Sequence, residues 1–95
     1  MAIRALIERE IKAGNEIKMN RLLLQLRAKA MQARGYISGE TLRALDNPNK
    51  FLVISTWNSL SEWEAWDHDP DRSQIQAAID GLLRHPAKTS IYIYG

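Results

Sequence analysis

Apolar and charged residues alternate along the start of the chain. In residues 2–11, AIRALIEREI, one parity holds Ile3, Ala5, Ile7 and Ile11, and the other holds Arg4, Glu8 and Glu10. This two-residue period predicts a first strand with one strongly buried face. The alternation ends at Lys12-Ala13-Gly14, and Asn15 is the predicted N-cap of a helix, its side chain accepting a free backbone N–H.

A helical period follows between Glu16 and Arg34. One stripe of this segment is apolar and consists of Met19, Leu22, Leu23, Leu26, Ala30 and Ala33. The opposite face carries lysine, arginine and glutamine side chains, which is the pattern of an amphipathic helix packed on a core. Gly35 comes next, at the position where a residue with left-handed backbone ends a helix.

Two strands and a tight connection are predicted between Tyr36 and Trp57. The first strand covers Tyr36–Leu45 and the second covers Lys50–Trp57. Asp46-Asn47-Pro48-Asn49 lies between them and favours a turn, because Asp and Asn bond to local backbone and Pro fixes φ. The second strand is apolar on both parities, a pattern typical of strands that are covered on both faces.

The next segment contains start and stop signals for a broken helix. Ser59-Leu60-Ser61-Glu62 matches a capping box, in which Ser59 and Glu62 each accept the other's backbone N–H. This helix is predicted to run to about Asp67 and to stop before Pro70. Asp69-Pro70 then begins a further helix, with an acidic N-cap and proline at the first helical position.

A last helix and strand complete the predicted order. The apolar stripe of this helix consists of Ile75, Ala78, Ile79, Leu82 and Leu83, and His85-Pro86 ends it. Lys88–Tyr94 follows as a strand. The order is therefore βαββαβ with the second helix broken near Pro70. It predicts a ferredoxin-like α+β fold, in which right-handed crossovers place both helices on one face of a four-stranded antiparallel sheet.

The other face of this sheet is left without helices. The apolar residues expected to need cover there belong to the two-sided strand at Phe51–Ile54 and to Ile91 and Ile93 in the last strand. Soluble monomers rarely expose a large apolar patch, so two chains are expected to pair sheet to sheet as a closed two-fold homodimer. The 95 residues are expected to form a single domain, 1–95.

Composition excludes several classes of site and partner. The chain has no cysteine, which excludes disulfides, thiol nucleophiles and cysteine metal sites. Its net charge is only +2, and the basic residues lie along a helix face without exposed aromatics between them, so nucleic-acid binding is not expected. With no apolar run of about 18–20 residues and no signal-peptide pattern, the expected location is cytoplasmic, without a membrane partner.

Residues 35–72 carry a resemblance to a known family. The segment GYISGETLRALDNPN followed by KFLVISTWNSLSEWEAWDHDPDR has a Gly-aromatic start to one strand, Trp57 at the end of the next, and a helix with an aromatic near its end. In these features the chain resembles the antibiotic biosynthesis monooxygenase family. The resemblance implies a dimeric α+β barrel that oxygenates a small aromatic, quinol or anthrone-like substrate. No cofactor and no metal is then expected, since an electron-rich anion reacts with O₂ directly.

Two tryptophans are candidate site residues, Trp66 through the resemblance and Trp63 through its spacing three residues earlier on the same helix. Trp66 aligns with a pocket position that is commonly His, or Trp in the haem-degrading branch, so it is a candidate catalytic residue whose indole N–H donates to a substrate oxygen. Trp63 is a candidate substrate contact on the same helix face. Alternatively, both pack in the core between helix and sheet. Haem degradation is disfavoured, because Gln76 stands where that branch has its haem-ligating His and its first-strand Asn is missing.

Two charged residues near the helix break are further candidates. His68 lies between Asp67 and Asp69 and is a candidate catalytic base, with a solvated loop as the alternative. No remote ligand joins this acidic turn, so no metal site is predicted. Arg72 is a candidate contact for an anionic substrate, and the alternative for it is a surface ion pair with Asp69 or Glu62.

Tyr36 and Asn15 complete the candidate substrate contacts. Tyr36 opens its strand and points either into the cavity or into the dimer barrel. Two functions remain open: a cofactorless monooxygenase, or a non-catalytic dimeric module that binds a small molecule or acts in stress. An enclosed cavity beside Trp66 with an inward polar group would favour the enzyme, whereas a cavity filled by Trp63 and Trp66 would favour the binding module.

Overall fold

The computed structural model describes residues 1–95 as four strands and three helices. In chain order these are β1 (Ile3–Glu10), α1 (Glu16–Ala30), β2 (Tyr36–Arg43), β3 (Lys50–Trp57), α2 (Leu60–Asp67), α3 (Pro70–Asp80) and β4 (Lys88–Ile93). The strands form one antiparallel sheet in the order β2-β3-β1-β4. The predicted ferredoxin-like α+β fold, with its second helix divided at Pro70, is confirmed. None of the helices has the length and apolar character that crossing a membrane requires.

The core lies between the helices and the odd-numbered positions of β1. Ile3, Ala5 and Ile7 are buried there, next to Phe51 and Trp57 of β3. The helices contribute residues of their predicted stripes, chiefly Met19, Leu23, Leu26, Ala30 and Ile79. Leu83 is buried as well, but it follows α3, which ends at Asp80 and not at the predicted His85-Pro86. The alternation in β1 therefore predicts the buried face correctly. Arg9 is a further odd-numbered residue of β1, and it lies in the same interior.

The sheet face away from the helices, called the open face below, carries Leu6, Leu42, Leu52, Ile54 and Tyr92 among charged neighbours. Ile91 and Ile93 are not part of it, and their predicted place there is wrong. They lie opposite Ala5 and Ile3, and partners in an antiparallel ladder project to the same side, here the helix side. Both are exposed because β4 is an edge strand.

Two predicted features of α1 differ from the structure. The helix ends at Ala30 instead of Arg34, because the next residues switch to tighter i→i−3 bonds, such as Ala33 N–H to the Ala30 carbonyl at 2.9 Å. Asn15 occupies the N-cap position, but its side chain caps no backbone N–H. Its Nδ2 donates to the Lys12 carbonyl at 3.0 Å, so the predicted capping bond is wrong.

The signals that divide the second helix work largely as predicted. The Ser59 hydroxyl accepts the Glu62 backbone N–H at 3.2 Å, although the Glu62 carboxylate takes the Ser59 hydroxyl at 2.9 Å and not its backbone N–H. The Asp69 carboxylate accepts the backbone N–H groups of Asp71 and Arg72 at 2.9 and 3.2 Å. These caps fix where α2 and α3 begin, and hence where their buried side chains lie.

The two glycines with positive φ provide a matched stability test. Gly14 (φ +87°) has open space around the position of a Cβ, whereas at Gly35 (φ +89°) a Cβ would lie 2.5–2.7 Å from Glu62 side-chain atoms. Gly14→Ala is expected to cost about 1–2 kcal/mol of unfolding free energy for the left-handed backbone alone. Gly35→Ala is expected to cost about 1–3 kcal/mol more, because Glu62 must move. Urea denaturation measures both, and equal losses would show that Glu62 yields without strain.

Candidate functional site

A narrow cavity lies between α1, the sheet and α2. Its apolar sides are formed by Ile7, Leu23, Leu26, Val53 and the three tryptophans. The centres of water-sized molecules can occupy about 50 Å³ of it, which is more than one water requires. The cavity is therefore not filled by side chains, and the tryptophans form part of its walls.

The tryptophans form one aromatic cluster around Trp57. Trp57 is fully buried, and its ring centroid lies 5.4 Å from Tyr36, 5.8 Å from Trp63 and 6.1 Å from Trp66. The first two contacts are edge-to-face and the third is stacked, which are the favourable geometries for aromatic pairs. Its indole N–H donates to the Ser55 hydroxyl at 2.9 Å. Trp57 is thus a core residue.

Trp63 and Trp66 project from α2 into this cluster, and both line the cavity. Trp66 also borders a surface cleft beside Ala33 and Asp69. Its indole therefore separates the interior cavity from the outside. Both side chains line the cavity and also pack in the core, so the two alternatives drawn from the sequence apply at the same time.

Tyr36 also lines the cavity, because β2 contains a bulge. The register with β3 shifts by one residue between Tyr36 and Ser38, so that Tyr36 lies opposite Trp57 and Gly39 lies opposite Ser55. Both therefore face the helices, although they are three residues apart. A Cβ at Gly39 would lie 2.6 Å from the Tyr36 hydroxyl oxygen, so the absence of a side chain there makes room for the phenol.

Arg9 lines the cavity and was not among the residues predicted from the sequence. It is 1% exposed, and its Nη2 donates to the Gln76 side-chain oxygen at 2.6 Å. Its Nε and Nη1 are buried without a hydrogen-bond partner. Burial, together with repulsion from Arg72, lowers the pKa of Arg9 to about 10 against an opposing effect of Asp80, so the guanidinium stays charged at neutral pH.

Arg72 is buried beside the same cavity, at 8% exposure. Its Nη1 pairs with the Asp67 carboxylate at 3.2 Å, and its guanidinium carbon lies 5.8 Å from the centroid of Trp63. The ion pair is with Asp67 and not with Asp69 or Glu62, the partners considered from the sequence. The Arg72 Nε has no partner. Burial lowers the pKa of Arg72, against the opposing effects of Asp67 and Asp80.

Two candidates from the sequence do not line the cavity. His68 is exposed at the end of α2, where its Nδ1 lies 2.8 Å from the Glu64 carbonyl oxygen. Asn15 lies at the start of α1 and bonds to Lys12. The structure therefore brings together Tyr36, Trp63, Trp66 and Arg72 from the predicted set, and adds Arg9 to them.

The cavity has no imidazole among its lining groups. Glu40 belongs to the lining residues, but it lies opposite Ile54 on the open face, and its carboxylate is 4.0 Å from Arg4. The titratable groups that remain are Tyr36, the buried Arg9 and Arg72, and Arg27 on the exposed side of α1. The interior is therefore apolar and positively charged.

Comparisons with known proteins agree with this architecture. Residues 2–78 match the family model described as antibiotic biosynthesis monooxygenase. Protein SchA of Streptomyces halstedii is 21% identical over 82 residues, which are 86% of this chain and 22% of SchA, so the chain spans about a fifth of that relative.

Two solved structures illustrate the likeness in fold. A conserved protein from Methanosarcina mazei Go1 superimposes with a TM-score of 0.94 at 17% identity, covering 100% of this chain and 94% of the other. SnoaB, a cofactor-independent oxygenase from Streptomyces nogalater, gives a TM-score of 0.89 at 13% identity and covers 99% and 93% of the two chains.

Proposed function

Because this chain belongs to the antibiotic biosynthesis monooxygenase family, we propose that it is a cofactor-independent monooxygenase acting on a small aromatic, quinol or anthrone-like substrate. The observation that carries the proposal is the aromatic cavity with two buried arginines among its lining residues. Its tryptophans offer flat apolar surfaces to a ring, and Arg9 and Arg72 offer positive charge to an oxygen anion. This combination suits a substrate that reacts as its anion.

The chemistry requires little from the protein beyond this environment. An anthrone-like substrate loses a proton from its CH₂ group to solvent, the resulting anion forms a C–O bond with O₂, and a hydroperoxide results after protonation. Loss of water then leaves a carbonyl. One oxygen atom is incorporated, and the other leaves as water with the two hydrogens of the former CH₂ group. Stabilising the anion before O₂ arrives is the step that positive charge in an apolar cavity accelerates.

Each cavity residue then has a definite role in the proposal. Trp63 and Trp66 hold the ring, and the Trp66 indole N–H donates to a substrate oxygen. Tyr36 limits the space on the β2 side, and Arg72 stabilises the negative charge. His68 and Asn15 have no role, because neither lines the cavity.

Oxygen uptake tests the proposal. The wild-type protein is expected to consume O₂ with at least one member of a panel of quinols and anthrones. Trp66→Phe keeps an aromatic ring but lacks the N–H donor, so kcat/KM is expected to fall about three- to tenfold, the effect of one neutral hydrogen bond. An exposed substitution on α1, Gln25→Ala, is the control and should leave the rate unchanged.

Two outcomes would count against it in different ways. Equal rates for Trp66→Phe and wild type would remove Trp66 as a donor and leave the activity in place. No uptake with any substrate would favour the second candidate function, a non-catalytic dimeric module that binds a small molecule. That alternative is favoured by one observation, the lack of an imidazole or an inward carboxylate that could serve as a general base in the cavity.

A homodimer is part of the proposed function. The open face bears five large apolar side chains that no helix of the same chain covers, and pairing with a second copy would bury them. Each chain would act as a single domain, residues 1–95, with its own cavity on the opposite side of the sheet from the dimer contact.

A further inference from the structure

Two buried arginines beside an apolar cavity require a physical reason. An arginine is rarely buried unless its charge is paired, because removing the ion from water is costly. Arg9 and Arg72 are both buried and both line the cavity, and the charge of Arg72 adds to burial in lowering the pKa of Arg9. Placing a second cation beside Arg9 therefore adds repulsion to the cost of its burial.

The carboxylates that partly offset these charges lie on the outer side. Asp67 contacts Arg72 from a position where its side chain is 41% exposed. Asp80 is exposed and does not contact Arg9 directly. It accepts a bond at 2.7 Å from Gln76, which in turn accepts the Arg9 Nη2 donor. No acid faces the two arginines from the cavity itself, so their inner side is positively charged.

The same two arginines have donors that the protein leaves unused. Nε and Nη1 of Arg9 and Nε of Arg72 are buried and have no acceptor within the protein. Unpaired buried donors are uncommon in folded proteins and are costly to leave unsatisfied. A carboxylate has two oxygens with about four acceptor positions, and guanidinium groups match its planar geometry.

We propose that Arg9 and Arg72 form an anion subsite that binds the carboxylate of a small aromatic acid, with the ring of this ligand against Trp63 and Trp66. This subsite deepens the proposed function, on which it rests for the role of the ligand as substrate. It fixes the orientation of the ring, because the acid group is held at the arginines and the remaining carbons are left against the tryptophans. A neutral substrate without the acid group binds through the aromatic surfaces, and the arginines stabilise it only after it has lost its proton.

Benzoate and benzamide test the subsite, since they have nearly the same shape and differ in charge. Titrations of ¹⁵N-labelled wild-type protein, followed by NMR, are expected to give a Kd for benzoate at least tenfold lower than for benzamide. The arginine Nε–H resonances of Arg9 and Arg72 are expected to move with benzoate and not with benzamide. Equal affinities, or no binding of either compound, would overturn the proposal.

Methionine variants locate the preference. Arg9→Met and Arg72→Met are each expected to reduce the preference for benzoate to threefold or less, while the Kd for benzamide stays within about threefold of wild type. Arg21→Met removes an exposed arginine from α1 and should keep the full preference. If the preference survives in both cavity variants, the anion binds elsewhere and the proposal is wrong.

Folding and activity are separated by two further readouts. Arg9→Met is expected to melt no lower than wild type, because replacing an unpaired buried ion with an apolar chain of similar length is often neutral or stabilising. If it does not fold, Arg72→Met and the wild-type comparison decide the outcome.

A clear preference for benzoate without O₂ uptake from any quinol would retain the subsite and reject the monooxygenase function. O₂ uptake without a preference for benzoate would retain the monooxygenase function and reject the subsite.

Discussion

Replacing Trp57 with alanine is expected to lower the free energy of unfolding by about 3–5 kcal/mol. Trp57 is fully buried and contacts Tyr36, Trp63 and Trp66 at once. Removing the indole leaves a void that three rings cannot close without leaving their favourable geometries. Domains of this size have a total stability of about 5–15 kcal/mol, so the variant should be close to unfolding.

Thermal denaturation measures this effect, and Trp57→Phe is its matched control. A loss of 3 kcal/mol or more corresponds to a drop in Tm of about 12 °C or more for a domain of this length. Trp57→Phe keeps a ring in the cluster and loses the N–H donor to Ser55, so it should cost about 1–2 kcal/mol. A loss under 1 kcal/mol for the alanine variant would show that the cluster is not central to the fold.

Replacing Leu6 with aspartate is expected to convert the proposed dimer into a monomer. Leu6 lies on β1, a central strand, and faces the open side opposite Ile54 and Ser90. In a two-fold interface the introduced carboxylate of each chain would be buried without a partner of opposite charge. The same carboxylate of the second chain would lie in the same interface. Light scattering at micromolar concentration should give about 22 kDa for the wild type (2 × 10.9 kDa) and about 11 kDa for the variant.

Leu24→Asp is the control for this experiment. Leu24 is 70% exposed on α1, on the side of the sheet away from the open face, so the same change there should leave a dimer. Circular dichroism should show both variants folded. A wild-type mass of 11 kDa would contradict the dimer itself, and a dimeric Leu6→Asp would place its contact on another surface.

Elements whose limits depend on local chemistry are predicted well from the sequence. β3 spans the predicted Lys50–Trp57, and the break between α2 and α3 follows from the caps at Ser59 and Asp69. The ends of α1 and α3 are exceptions, since α3 stops at Asp80 before the predicted end at His85-Pro86. Ala33 packs against the core whether the backbone after Ala30 continues as a helix or tightens, so the apolar stripe alone does not distinguish the two.

The site depends on relations between elements, and its prediction is correspondingly less complete. The side of the sheet that Tyr36 faces is decided by the bulge at Ile37, which leaves no mark in the hydrophobic pattern. Arg9 did leave a signal, because it occupies the parity of Ile3, Ala5 and Ile7. A charged residue in the inward series of a strand is a candidate for a site, and here it is one of the two buried arginines.

The aromatic cluster makes the unlabelled protein its own optical sensor. Every tryptophan in the chain lines one cavity, so the indole emission of the whole molecule originates beside the proposed ligand. A bound ring that quenches indoles, or a change in polarity around Trp66, would alter the intensity or wavelength of nearly all of that signal. Compounds can therefore be screened for occupancy by fluorescence before any reaction is known.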